Sequence, residues 1–461
     1  MKRTLYHWHR RIAMVVLLPL LLWAMSGLLH PLMRLTQPEI AQHHYPLPVW
    51  PANLAGPWKS ELQTIAGVRA VNVGGSWWQQ QWQDRHTPAS FVDLKTGVPR
   101  PDVAKQYATQ LARHFSGDTT SAIRQIRFID RFNDDYAPIN RLLPVWEVSF
   151  YRADALKVYV DIRQDRLATV SDNTRRTLQT LFQTLHLWSF WDANAHLRNA
   201  VFMAMTTGLL FIGASGLYLF TVLPLRNSTL NNSRKLHIWG GTLLSLILLM
   251  FANSGLMRTL EKQLPEMRGV MLNSQPNLGE VTVNFAQLQQ HLPDMTNAIL
   301  HHLDRQPVWQ VSRSGKPDEW ISAVTGQRIP GGETAFAHAL AAAAIGVLPN
   351  TSDIQRIENF RTSDDYSFID KRLPVIALHY PEHSLYLDTR DEVLSKQTDT
   401  ASRLFNWVFR YLHKWRFADG LGLNTRDGLM ALTLLLLSMI AMLGGSLWLK
   451  RQRARTRSTS E

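Results

Sequence analysis

No cysteine occurs among the 461 residues. Disulfides, thiolate catalysis, iron–sulfur clusters and cofactors attached through cysteine are therefore excluded. The common catalytic signatures are missing too. There is no H-E-x-x-H, no Walker loop, no G-x-S-x-G and no dinucleotide-binding glycine fingerprint, so those chemistries have no motif here. Acidic residues are in deficit, with 36 Asp and Glu against 49 Lys and Arg, and the formal net charge is +13. A surplus of that size suggests nucleic acid until its location is read.

What the chain has is long apolar runs. Four of them reach the length of about 20 residues needed to cross a hydrocarbon core of about 30 Å: Ile12–Met33, Ala200–Leu223, Ile238–Met257 and Gly428–Leu449. Lys2, Arg3, Arg10 and Arg11 precede the first run. Arg226, Arg234 and Lys235 lie between the second and third, and Lys450, Arg451, Arg453, Arg455 and Arg457 follow the fourth. With Glu461 counted, these short segments hold +11 of the +13. The two long connecting segments are together nearly neutral. This is the positive-inside pattern, with both termini and the short middle loop cytoplasmic. The long segments then face the periplasm of a bacterial inner membrane. The charge reports topology, not nucleic acid.

The first run exceeds the apolar region of a signal peptide, and HPLMRL follows it with no A-x-A-like site, so a retained anchor is expected. No acidic or polar chain lines the runs, which removes the usual basis for a permease.

The chain also repeats itself. SGLLH at Ser26 matches SGLMR at Ser254, an offset of 228 that lays His9 on His237. FVDLKTGVPRP at Phe91 resembles WISAVTGQRIP at Trp320, offset 229. Asp134-Asp135-Tyr136 falls on Asp364-Asp365-Tyr366, offset 230, and LFQTLHLWSFWD resembles VFRYLHKWRFAD, placing His186 on His413 at offset 227. Each half is expected to be span, extracytoplasmic domain, span. The expected segments are 1–33, an N-terminus and first span; 34–196, a first periplasmic region; 197–257, two spans and a short loop; 258–427, a second periplasmic region; and 428–461, a fourth span with a basic tail.

Within the soluble segments, FVDLKTGV predicts a hairpin whose glycine supplies a positive φ. DVAKQYATQLARHF predicts a helix with Asp102 as N-cap, and AFAHALAAAA takes the same place in the second half. PVWEVSFY and LKVYVDIRQDRLATV alternate as half-buried strands do. A helix on a small antiparallel sheet makes each an α+β module. Trp77, Trp78 and Trp82 are read as strand packing or an interfacial belt, and the Asp-Asp pairs as turns. His43-His44 and His301-His302 are adjacent pairs that do not share a face, so no metal is assigned to them.

Repeated helix–hairpin units with V-D-x-x-T-G signatures resemble PepSY domains. Spans that begin with a cytoplasmic-edge histidine, carry S-G-L near their ends, and return after L-H resemble the PepSY-associated transmembrane family. The resemblance covers nearly the whole chain. It implies four transmembrane helices with duplicated α+β periplasmic domains. Family members include inner-membrane reductases of ferric siderophores that look like haem proteins. The implied cofactor is haem b, one or two per chain, held non-covalently. The implied activity is an oxidoreductase that passes electrons outward to a periplasmic ferric chelate, expected to be a ferric siderophore.

Seventeen histidines are available, and depth selects among them. His9 and His237 lie at the cytoplasmic ends of the first and third runs, so one from each half can meet at equal depth. His186 and His413 can do so at the other face. A membrane haem is commonly held by two neutral imidazoles from helices of a bundle. His30 is an alternative member of the outer pair; its counterpart Arg258 would then suit a haem propionate. His7 competes with His9, and His196 faces Asn424 in the alignment.

The cytoplasmic segments are too short for a flavin or nicotinamide domain, so the reductant is expected to be a membrane quinol or a separate cytoplasmic protein. The partners are otherwise the lipid bilayer and the ferric chelate, with no nucleic acid. A non-enzymatic alternative stands beside this: a membrane-tethered PepSY regulator or assembly factor that binds a periplasmic protein.

Overall fold

The computed structural model describes residues 2–52, 54–57, 65–222, 231–263, 270–271, 278–346, 353–360 and 365–458. Along the first half run α1 (Lys2–Gly27), α2 (Leu29–Leu35), β1 (Gly67–Val73), β2 (Ser76–Trp82), β3 (Ser90–Asp93), α3 (Val103–Ser116), β4 (Ile123–Ile129), β5 (Val145–Phe150), β6 (Lys157–Asp161), β7 (Arg166–Ser171), α4 (Asn173–His186) and α5 (Ala195–Val222). The second half has α6 (Asn232–Glu261), β8 (Val270–Met271), α7 (Phe285–His291), β9 (Met295–Leu303), β10 (Gln306–Arg313), β11 (Lys316–Ser322), α8 (Gly332–Ile345), β12 (Asp353–Ile357), β13 (Val375–His379), β14 (His383–Asp388), β15 (Val393–Asp399), α9 (Thr400–Val408) and α10 (Leu423–Ser458).

These elements form two units. One comprises Met1–Gln37, Thr174–Glu266 and Thr400–Glu461; the other comprises Pro38–Asn173 and Met267–Asp399. In the first unit, four helical stretches are long and apolar enough to cross a membrane: Lys2–Leu35, Ser189–Val222, Asn232–Glu261 and Leu423–Ala454. The apolar runs read from the sequence lie within them, apart from Leu223, which falls outside the described residues. α1 packs on α5 and α10, and α6 packs on α5 and α10, so the four close into a bundle. Its core holds Val16, Leu209, Leu244, Leu248, Ala252 and Leu437. Small residues let these helices approach: a Cβ added at Gly213 of α5 would lie 2.9 Å from the Leu249 side chain on α6.

The second unit is built of three antiparallel sheets. β4-β5-β6-β7 and β12-β13-β14-β15-β8 are the sheets of the two halves, and a third joins them in the order β11-β10-β9-β1-β2-β3. The joining pair is β1 with β9, where Arg69 stands opposite Ile299. The core beneath mixes both halves, with Trp50, Val68 and Leu94 packed among Phe285, Leu300 and Trp309. α3 buries Tyr107, Leu111 and Phe115 against Val148, Val158 and Val160, the expected helix-on-sheet packing. α8 does the same with Phe336 and Leu340 against Leu378, Leu385 and Leu387.

Several local expectations take a more specific form. Asp102 stands before α3, but its side chain does not cap the helix; it accepts from Arg100 Nε at 3.2 Å and Gln106 Nε2 at 2.7 Å instead. The backbone there is already helical (φ −75°, ψ −20°), which aims the carboxylate away from the free N–H groups. The FVDLKTGV turn does use Gly97 at φ +72°, yet its return is a single bridge, Val92 with Pro99, not a full strand. Trp78 and Trp82 are buried in the core. In the first half the D-D-Y segment is a bend in which Asn133 Oδ1 accepts from the Asp135 and Tyr136 N–H groups at 3.0 and 2.9 Å; Tyr136 donates to Leu142 O at 2.8 Å and Tyr366 to Arg372 O at 2.9 Å, and Asp364 lies outside the described residues.

The halves of this unit are also joined by buried charge. Arg166 donates to Asp388 Oδ2 at 2.7 Å, and Arg372 reaches the same oxygen at 3.2 Å. Arg141 pairs with Asp370 across the same divide. Burial alone would raise the Asp388 carboxyl, but Arg166 and Arg372 hold it down to about 2. A depressed carboxylate stabilises the fold fully above its ordinary value of 3.8, and that contribution is lost as pH falls through about 2. Acid unfolding followed by tryptophan fluorescence should therefore show stability declining between those values. Asp388→Asn should flatten that decline and cost on the order of 3 kcal/mol near neutral pH, because the buried Arg166 loses its counter-charge and Arg372 is left with Asp391.

Candidate functional site

The membrane unit places histidines at both ends of its bundle, and the local sequence explains how. α4 ends at His186, and Trp188 then adopts φ +52°, turning the chain through Ser189–Asn194 into α5. In the second half α9 passes into a π turn, Phe409–His413, and Trp415 at φ +50° turns it through Arg416–Leu421 into α10. Left-handed backbone is costly for a tryptophan, and each is held by a stacked ring. Trp188 lies on Trp23 (5.4 Å, 17°) and Trp415 on Phe251 (5.8 Å, 19°). One turn before each histidine a phenylalanine stacks on its imidazole: Phe182 on His186 at 4.6 Å and Phe409 on His413 at 4.9 Å.

These corners bring the His186 and His413 imidazoles together. The His186 and His413 ring centroids are 6.3 Å apart with planes at 76°. Each is fixed from behind by a serine of the first helix of its own half. His186 Nδ1 meets Ser26 Oγ at 3.0 Å, and His413 Nδ1 meets Ser254 Oγ at 3.0 Å. Each serine hydroxyl has one hydrogen, and it is spent on the helix. Ser26 donates to Leu22 O at 2.5 Å and Ser254 to Phe251 O at 2.8 Å. The serine oxygen is then left to accept, an arrangement that assigns the imidazole proton to Nδ1 and a bare lone pair to Nε2.

The inner histidines show the same arrangement. His9 Nδ1 meets Ser215 Oγ at 2.8 Å, and Ser215 donates to Ile212 O at 3.2 Å. His237 Nδ1 meets Ile440 O at 3.2 Å; a carbonyl can only accept, so this proton too sits on Nδ1. Every side-chain hydrogen bond seen for the four among the described residues is made through Nδ1, and His186 also bonds the Trp23 backbone. His9 and His237 do not make a ring contact with one another of the kind the outer pair makes. They lie against glycines of the second helix of their own half, His9 beside Gly216 and His237 beside Gly444.

The remaining candidates are placed differently. His30 is exposed at the end of the first span and makes no hydrogen bond or ring contact among the described residues. His7 and His196 are exposed as well, and Asn424 accepts from Arg34 instead of meeting His196. Arg258 pairs with Glu261 and lies over the Phe409 ring at 5.4 Å. No cluster of three or more His, Cys, Asp or Glu suited to a bare metal ion is found among the described residues.

A family model described as the PepSY-associated TM region matches residues 76–451. The chain belongs to this family. No curated protein matches it significantly. With four apolar helices of spanning length, this PepSY-associated chain is a multi-pass membrane protein with sheet-containing α+β domains.

Reading the sequence for histidines missed their partners. Ser26, Ser215 and Ser254 each open an S-G-L tripeptide, and each holds an imidazole. The corresponding stretch of the last helix reads G-G-S-L, Gly444 to Leu447, and there His237 takes a backbone carbonyl instead. The signal was thus a motif, but its partners lie about 160 to 206 residues away in sequence.

The glycines give a test that is independent of any bound group. A Cβ at Gly444 would sit 2.6 Å from His237 Cε1, whereas one at Gly216 would meet His9 Cε1 at an ordinary 3.6 Å. Gly444→Ala should displace the His237 ring and destabilise the bundle by about 1–3 kcal/mol. Gly216→Ala should be neutral or stabilising by up to about 1 kcal/mol, since alanine is the better helix former. Unfolding of both variants in mixed detergent micelles measures the contrast.

Proposed function

We propose that this protein is a b-type haem protein of a bacterial inner membrane that passes electrons outward to reduce a periplasmic ferric chelate. The observation that carries the reading is the shared state of four imidazoles, each committed through Nδ1. Ligand histidines are normally held in this way, with the second nitrogen tied to an acceptor that fixes tautomer and ring direction. A core histidine would instead be expected to satisfy both nitrogens.

The spacing of the outer pair supports the reading as well. His186 and His413, with ring centroids 6.3 Å apart, would be the residues to hold one haem between them. We assign this pair to an outer haem and His9 with His237 to an inner one; His30 stays a lesser candidate. Bound haem would supply a one-electron carrier at each level.

The chain's own residues would perform three tasks. The histidines bind through Nε2, and Ser26, Ser254, Ser215 and the Ile440 carbonyl orient them. Trp23, Trp188, Phe251 and Trp415 wall the outer level with aromatic surface and keep water from it. α1 sets the separation of levels: His9 and Ser26 are 17 residues apart on this helix, about 25 Å at 1.5 Å per residue.

Two levels so far apart, one from each end of the bundle, suit transfer across the membrane. The topology proposed has both termini cytoplasmic and the soluble unit periplasmic, with span, domain and span duplicated. The donor would be a membrane quinol or a cytoplasmic reductant. The acceptor would be an iron(III) chelate such as a ferric siderophore, because one-electron reduction weakens the hold of hard oxygen ligands on iron.

Purified protein made with ample haem supply should show a b-type reduced α-band and two haems per chain by pyridine haemochrome assay. His186→Ala and His413→Ala should each remove the same haem, and His9→Ala and His237→Ala the other. Full haem content in all four variants, or no haem in folded wild-type protein, would overturn the proposal and favour a PepSY regulator.

A further inference from the structure

The near-neutrality of the long segments hides a separation of charge. The soluble unit, 38–173 and 267–399, has 26 Lys and Arg against 30 Asp and Glu. The segments of the membrane unit at its outer end, 28–37, 174–198, 255–263 and 400–427, have 11 Lys and Arg against four Asp and Glu. Basic residues next to spans normally gather on the cytoplasmic side. A basic collar at the opposite end runs against that tendency and needs a reason of its own.

Much of the collar is accounted for internally. Arg34 donates to Asp427 at 2.8 Å and to Asn424 at 2.7 Å, Arg426 pairs with Asp427 at 2.8 Å and Asp419 at 2.5 Å, and Arg198 pairs with Asp192. Lys414 is different. Its ammonium makes no ion pair or hydrogen bond among the described residues and lies over the Phe409 ring at 5.2 Å. Its strongest electrostatic neighbours are all cationic: Arg416, Arg258, Arg410 and Arg426. Arg258, which also pairs with Glu261, lies over the same ring at 5.4 Å, and that ring is stacked on His413. The first half has the stacked pair, Phe182 on His186, but no such cations: His30 corresponds to Arg258 and Leu187 to Lys414. The concentration of positive charge belongs to one side of the outer pair.

We propose that Arg258 and Lys414 form a receiving site for an anionic iron(III) chelate, whose oxyanion edge they hold over Phe409 beside His413. This deepens the reduction reading and rests on it. Charge complementarity selects the occupant: iron(III) complexes of catecholate or carboxylate ligands carry net negative charge, whereas simple hydroxamate complexes do not. Phe409, in contact with His413, brings such an acceptor to the outer level from the second-half side. Leu187, at the corresponding position in the first half, offers an acceptor no charge.

The test uses full-length protein in nanodiscs and measures binding by equilibrium dialysis, with haem content determined on the same samples. The probes are iron(III) tris-catecholate, which is strongly anionic, and iron(III) tris-acetohydroxamate, which is uncharged. The catecholate complex should bind more tightly and lose that advantage in high salt. Lys414→Gln and Arg258→Gln should each weaken it roughly tenfold, as loss of a charge-assisted contact does. Lys414→Arg should retain binding, which guards against mere misfolding, and Leu187→Gln should change nothing.

Equal binding of the two probes, or unchanged catecholate binding in the glutamine variants, would overturn the site. So would loss of haem in those variants without loss of chelate binding, since the cations would then serve haem propionates. Loss of chelate binding when phosphatidylglycerol replaces zwitterionic lipid would assign the pair to a lipid phosphate instead. Selective, salt-sensitive binding by a protein without haem would leave the receiving pair standing and sink the haem reading alone.

Discussion

Everything at the ends of the bundle depends on where one proton sits. An imidazole inside a membrane protein has two nitrogens, and an uncommitted ring can present either of them. Here the choice is made by the helix. A serine that bonds back to a carbonyl one turn earlier has no hydrogen left to give, so it can only accept from the histidine. The consequence is a lone pair aimed away from the serine. Three of the four candidate histidines are governed in this way, and the fourth reaches the same state through a main-chain oxygen.

The corners that deliver the outer histidines are the second constraint. Trp188 and Trp415 take a backbone conformation that bulky residues avoid, and both are held by stacking on a ring of the bundle. The π turn at Phe409–His413 widens the last helical turn before the second corner. Such turns recur at functional sites because they re-aim a side chain without breaking the helix. In the soluble unit the corresponding economy is the joining sheet, where β1 and β9 bury the edge that each half would otherwise leave open.

How much of this was legible in the sequence depends on range. Hydropathy located the spans because membrane thickness imposes a length on each helix separately. Apolar spacing located α3 because Tyr107, Leu111 and Phe115 fall on one face within a few turns. The histidines beside the apolar runs stood out for the same local reason. What no local pattern carries is partnership: Ser26 with His186, Ser254 with His413 and β1 with β9 are joined across 159 to 230 residues. His301 shows the same limit. Alternation along a strand correctly separates it from His302, but nothing nearby announces Glu392 at 2.8 Å and Gln310 at 3.0 Å, which close around it in the core. Asp102 shows a subtler one: residue type gave its position, and backbone angle decided its bond.

The most direct measurement is the low-temperature EPR spectrum of the oxidised full-length protein. If His186 and His413 close on one iron with their planes near the observed 76°, the low-spin ferric signal should be strongly anisotropic, dominated by a single large g value. That signal should disappear in His413→Ala. A haem-replete protein with no low-spin signal, or one whose anisotropic signal survives the loss of His413, would contradict the outer pair as a ligand set.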